Sequence, residues 1–190
     1  MPHTSKKALR PSLWRTCRVL ANRPRLEMLR ELILSPDQSV SEVARRLCVT
    51  PAAATKYLRA LNARGLLAAR RQGKCVYYRP CADESVIGAV LLLQALRETF
   101  ASKKDSVEVI FRQATAFTHP RRIDIIRALQ NEPLDGRHLR AETGMSQAAL
   151  RRHLRKLVSR GFVMFDGRKY RCTTSRHSLT KVLLRLAGQE

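Results

Sequence analysis

Residues 50–67 read TPAAATKYLRALNARGLL, and residues 146–163 read SQAALRRHLRKLVSRGFV. Each stretch opens with a hydroxyl side chain able to accept hydrogen bonds from the first free N–H groups of a helix. Small or apolar residues then recur at helical spacing: Ala54, Leu58 and Leu61 in one, Leu150, Leu154 and Leu157 in the other. Such a stripe predicts a helix with one face against a core. Arg64-Gly65 and Arg160-Gly161 end the two helices, because glycine adopts the left-handed backbone that stops one. An apolar pair and a basic hairpin follow in both. A short amphipathic helix, cationic on its outer face and leading into a basic hairpin, has the pattern of a DNA-recognition helix and its wing.

The flanking sequence carries the same punctuation. Residues 12–21 predict a helix with Leu13, Cys17 and Leu20 on one face, broken at Asn22-Arg23-Pro24. Residues 25–34 predict the next, with Leu26, Met28, Leu29 and Ile33 inward, ended by the turn Ser35-Pro36-Asp37. Ser39 or Ser41 caps a short helix over residues 42–47, and Cys48, expected as a small core residue, makes the turn toward Pro51 with Val49. Strands over residues 67–71 and 75–79 bracket Gln72-Gly73-Lys74. A long helix is expected over residues 83–101, apolar on most sides and therefore buried on more than one.

The second half replays the first. Arg25 pairs with Arg122 and Leu26 with Ile123; Thr50 pairs with Ser146, Leu58 with Leu154 and Gly65 with Gly161. One residue is lost in the loop between. A shorter hairpin turns at Asp166-Gly167, and a closing helix over residues 175–186 keeps Leu179, Val182, Leu183 and Leu186 on one stripe. Coincident caps, core leucines and glycine stops imply a tandem repeat. The organisation expected is a basic disordered arm over residues 1–11, a first domain over 12–101, a linker over 102–105 and a second domain over 106–190.

Charge is segregated along the repeat. The chain holds 37 Lys and Arg against 15 Asp and Glu, a net +22. Residues 50–81 contain no acid, and residues 146–172 contain only Asp166. Acids gather upstream, at Glu27, Glu31, Glu42, Asp124, Glu132 and Glu142. A charged face of this kind suits a polyanion. Neither basic helix has the aromatic-rich face of a membrane anchor, and the apolar run over residues 86–93 is too short to span a bilayer. The first residues lack the apolar core of a signal peptide. Five cysteines without repeated spacing argue against a disulfide framework and for a reducing cytoplasm.

Three segments resemble ArsR-type winged-helix repressors: residues 19–26, VLANRPRL; residues 146–154, SQAALRRHL; and residues 71–79, RQGKCVYYR, following Arg-Gly-Leu-Leu. The resemblance runs over nearly the whole chain, twice. It implies a mainly α fold with small β-wings, two tandem winged helix-turn-helix domains, packing through first and last helices, and repression by operator binding. Single-domain relatives carry one copy per chain, so one chain is expected to act as a monomer with an internal pseudo-two-fold axis; a homodimer through the residue 175–186 stripe is the alternative. Family members that sense metals do so through paired cysteines before the recognition helix or acid/His pairs on the last helix. Here the former segment reads Ser39-Val40-Ser41-Glu42-Val43, and His177 stands alone on the latter. No metal site, cofactor or catalytic residue is expected, and no enzyme.

The expected partner is double-stranded DNA. Side chains near the start of a recognition helix reach base edges in the major groove. In the first unit these are Thr50, Ala53, Thr55, Lys56 and Arg59; in the second, Ser146, Gln147, Ala149, Arg151, Arg152 and Arg155. Arg70, Arg71 and Lys74 on the first wing, and Arg168 and Lys169 on the second, would grip phosphates. Tyr57 and His153 sit at equivalent places beside a core leucine, either bonding a phosphate or packing half-buried. His119 stands where the repeat has Asn22, and is expected as a cap or turn residue rather than a base. An architectural nucleoid protein or a protein-binding scaffold are the rival functions.

Overall fold

The computed structural model describes residues 12–102 and 105–189. The arm expected over residues 1–11, and Lys103-Lys104 of the expected linker, lie outside them. The described chain is mainly helical, with two small antiparallel sheets. It divides into two compact units. Helix α1 (Leu13–Leu20) buries Leu13, Thr16, Cys17 and Leu20. The sequence groups it with the first repeat, but in the structure Ser12–Ala21 belongs to the second unit, with the chain from Val109 onward; the first unit is Asn22–Glu108. An amphipathic face dictates that a helix must be covered, not which core covers it.

The first unit is built on caps. Asn22 opens α2 (Arg23–Leu34), its side chain accepting from the Arg25 N–H at 3.0 Å. Ser39 opens α3 (Val40–Arg46) through a reciprocal pair: Ser39 N–H to Glu42 Oε2 at 2.7 Å, and Glu42 N–H to Ser39 Oγ at 3.2 Å. The Glu42 carboxyl is held below the usual range chiefly by those bonds. Thr50 opens α4 (Pro51–Asn62), whose Ala54, Leu58 and Leu61 are buried against α2 and α3. Cys48, in the turn between α3 and α4, is exposed rather than core, with φ +52°. Its counterpart in the repeat, Gly144, has φ +61°. The tight turn requires left-handed backbone at both places, and glycine alone adopts it without strain.

Strand β1 (Gln38–Ser39) precedes α3 and pairs antiparallel with β3 (Cys75–Arg79), which pairs with β2 (Ala68–Gln72) in the order β1-β3-β2. This third strand pins the hairpin to the α2–α3 corner. After Pro80 the chain does not enter the long helix directly. Asp83 caps a turn, accepting from the Ser85 N–H and hydroxyl, and Gly88 has φ +83°. Helix α5 therefore runs only Ala89–Ser102. It buries Leu92, Leu93, Leu96 and Phe100, while Val90 is 49% exposed.

The second unit has a similar succession of helices, hairpin and closing helix. Helix α6 (Ser106–Ala114) starts at the end of the first unit and passes, within the second, into a 3-10 turn (Thr115–Phe117), against which α1 packs. Helix α7 (Pro120–Asn131) contacts α8 (Gly136–Thr143), α9 (Gln147–Ser159) and α10 (Ser178–Gly188). Ser146 caps α9, and Leu150, His153, Leu154 and Leu157 form its buried stripe. Phe162, directly after the Arg160-Gly161 stop, stands edge-on to Phe117 with ring centroids 4.7 Å apart. Strands β4 (Val163–Phe165) and β5 (Tyr170–Cys172) form the hairpin. Asp166 turns it, its carboxylate accepting from the Arg168 and Lys169 N–H groups at 3.0 and 2.8 Å. Leu134 bridges Tyr170 as Gln38 and Ser39 bridge β3.

Candidate nucleic-acid interface

The helical stripes decide which side chains α4 and α9 offer to solvent. With Ala54, Leu58 and Leu61 turned inward, Lys56 and Arg59 are exposed on α4. With the α9 stripe buried, Gln147, Arg151, Arg152 and Arg155 are exposed. On the hairpins Arg70, Arg71, Lys74, Arg168 and Lys169 are all exposed.

Pairing separates these cations from the rest. Arg46 bonds Glu31 at 2.7 Å, and Asp124 accepts from Arg127 at 3.0 Å and lies 3.8 Å from Arg121. No carboxylate pairs with Lys56, Arg59, Arg151, Arg152 or Arg155 among the described residues. Charge left unpaired on an exposed helix face gives that face a positive field that attracts polyanions.

Several expected contact residues have local duties. Thr50 Oγ1 accepts from the Ala53 N–H at 3.2 Å, and Ser146 Oγ from the Ala149 N–H at 3.3 Å. The Thr55 hydroxyl donates to the Pro51 carbonyl at 2.8 Å. Ala53 and Ala149 are half-buried in the first turns. On the hairpin, Arg70 donates to Gln72 and lies 5.5 Å from the Tyr77 ring centroid, and Arg71 donates to the Gly73 carbonyl.

Tyr57 and His153 diverge. Tyr57 is half-buried, with the Arg25 guanidinium 5.5 Å from its ring centroid. His153 is 4% exposed and packs its ring on His119, so it is a core residue of α9 rather than part of its outer face. His119 is the α7 cap, its Nδ1 accepting from the Arg121 N–H at 3.1 Å. Burial holds His153 down at about 4, reinforced by His119, Arg122, Arg152 and Arg121. Arg122, half-buried and bonded to Thr118, and the half-buried Lys156 complete this cluster. Neither was among the expected site residues. The signal was the repeat itself, in which Asn22 becomes His119, Tyr57 becomes His153 and Ala60 becomes Lys156.

No three His, Cys, Asp or Glu side chains converge as a metal site among the described residues. Cys48, Cys75 and Cys81 are exposed, Cys17 is buried, and burial pushes the Cys172 thiol up to about 11. No helix of the described residues is long and apolar enough to cross a membrane.

Residues 112–185 match the family described as the HVO_A0261 N-terminal domain. The matched span runs from α6 to α10 and falls within the second unit. No curated protein matches the chain.

Proposed function

We propose that the chain is a cytoplasmic, sequence-specific double-stranded DNA-binding regulator of transcription, acting as a repressor, built from two tandem winged helix-turn-helix units of ArsR type. One observation carries this: the exposed faces of α4 and α9 hold cations without carboxylate partners, and each helix leads into a basic hairpin. The capped α3–turn–α4 and α8–turn–α9 pairs support the same reading, since a short helix after a tight turn is what a major groove admits.

The residues divide by task. Gln147 presents an amide suited to adenine, and Arg59, Arg151, Arg152 and Arg155 present guanidinium forks suited to guanine or phosphate. Arg70, Arg71, Lys74, Arg168 and Lys169 contribute affinity without sequence information. Thr50 and Ser146 act mainly as caps, so their role is to fix where each helix begins.

Fluorescence anisotropy with a labelled mixed-sequence duplex tests the reading. Saturable binding at low salt that weakens steeply as salt is added is expected, because neutralised phosphates release counterions. Absence of binding at low salt overturns it.

A further inference from the structure

A depression of 440 Å³ opens between the start of α7 and the flank of α9, lined by His119, Arg122, Arg152, His153, Arg155 and Lys156. Among the described residues no carboxylate lines it. Asp124, the acid that acts on His119, is engaged by Arg127 and Arg121. We propose that this depression is an oxyanion site that takes a phosphoryl group.

Unused hydrogen-bonding capacity points the same way. Nδ1 of His153, on a side chain 4% exposed, and Nε of Arg122 are buried without a hydrogen-bond partner among the described residues. Buried polar atoms are ordinarily paired, so each of these keeps capacity for one further hydrogen bond. Four cationic side chains and two imidazoles crowd one hollow, and the crowding costs energy that an anion relieves. Burial and neighbouring cations lower the proton affinity of His119, His153 and Lys156, and burial lowers that of Arg122. Side chains build the site rather than the helix end, because the His119 ring already takes the Arg121 N–H.

The first unit lacks this arrangement. At the equivalent positions stand Asn22, Arg25, Lys56, Tyr57, Arg59 and Ala60. There the Tyr57 ring lies against the Arg25 guanidinium, and none of these six positions holds an imidazole. The site is therefore a speciality of the second repeat. Guanidinium forks match phosphoryl oxygens, and the volume exceeds one phosphate, so a phosphate with its substituent fits. The occupant is a phosphate of the DNA backbone or of a free phosphorylated ligand. The site stands without the DNA reading, and only its effect on DNA rests on that reading.

The test is imidazole NMR of the full chain titrated with inorganic phosphate at constant ionic strength, with chloride as control. His119 and His153 signals should shift saturably with phosphate and not with chloride, and the His153 pKa should rise from about 4. His138 and His177 should stay put. Arg152→Gln combined with Lys156→Gln should weaken phosphate at least tenfold; Arg152 is exposed, so the fold should survive, which the unshifted His138 and His177 signals verify. A linear response shared with chloride, or none, overturns the proposal. A duplex that displaces phosphate identifies the DNA backbone as the source, and a duplex that binds alongside it identifies a free ligand. A saturable phosphate response without duplex binding keeps the site and removes the DNA reading.

Discussion

The rings of His119 and His153 lie 4.6 Å apart, centroid to centroid, with their planes inclined by 41°. One ring caps α7 and the other sits in the buried stripe of α9, so the pair joins the two helices where cations converge. Its pH behaviour follows. In the unfolded chain a histidine takes a proton near the ordinary value of about 6.5. In the fold His153 does so only at about 4. Between those values the unfolded state binds more protons, so stability falls as pH drops through that window and levels off below it. Denaturant midpoints measured from pH 7 to 4 should show this loss, and His153→Gln should flatten it. An unchanged pH dependence in the variant contradicts the assignment.

Glycine positions give a second prediction. Gly65 has φ +68°, and a Cβ there would meet Val86 Cβ at 2.9 Å; Gly161 has φ +78° with nothing within 4 Å. Gly161→Ala should cost about 1–2 kcal/mol of backbone strain. Gly65→Ala should lose about 1–3 kcal/mol more from overpacking. In the α3–α4 turn, Cys48→Gly should stabilise by up to about 1 kcal/mol, since relieved strain exceeds the added chain entropy. Equilibrium denaturation measures all three, and equal losses at Gly65 and Gly161 would contradict the Val86 contact.

A third prediction separates grip from reading. Neutralising Arg70, Arg71 and Lys74 together should flatten the salt dependence of DNA affinity and leave the preferred sequence unchanged. An unchanged slope would show that the β2–β3 hairpin does not touch phosphates.

A fourth addresses the helices themselves. Arg59→Ala and Arg155→Ala should weaken DNA binding with melting temperatures unaltered, because both side chains are exposed. A base-specific pair lost at either site should cost roughly 1–3 kcal/mol of discrimination. Unfolding of either variant would contradict the helix faces described above.

Much of this fold is legible in the sequence because it is written in local chemistry. Asn22, Thr50 and Ser146 cap the helices they precede, and the leucine stripes of α4 and α9 turn inward at the spacing that marks them. What is not legible depends on distant partners. Two residues, Gln38 and Ser39, are too few for any periodicity, and only β3, far along the chain, makes them a strand. The apolar run after Asp83 hides a left-handed glycine, Gly88, that delays α5 to Ala89. The face of α1 demands a cover without naming it. His153 falls at i, i+3, i+4, i+7 spacing with Leu150, Leu154 and Leu157, so its burial follows from the same periodicity as the leucines. Its polarity left a phosphate contact open beside that packing.

Whether α4 and α9 read base sequence is decided by selecting bound fragments from a random pool of DNA duplexes. The two helices offer different side chains, Lys56 and Arg59 on one, Gln147, Arg151, Arg152 and Arg155 on the other. Sequence reading by both helices should enrich a motif of two dissimilar parts rather than a palindrome, with Arg155→Ala relaxing one part and Arg59→Ala the other. Retention of duplexes without any enriched motif would make the chain an architectural DNA coat, and no retention would remove DNA as its partner; either result contradicts sequence reading by α4 and α9.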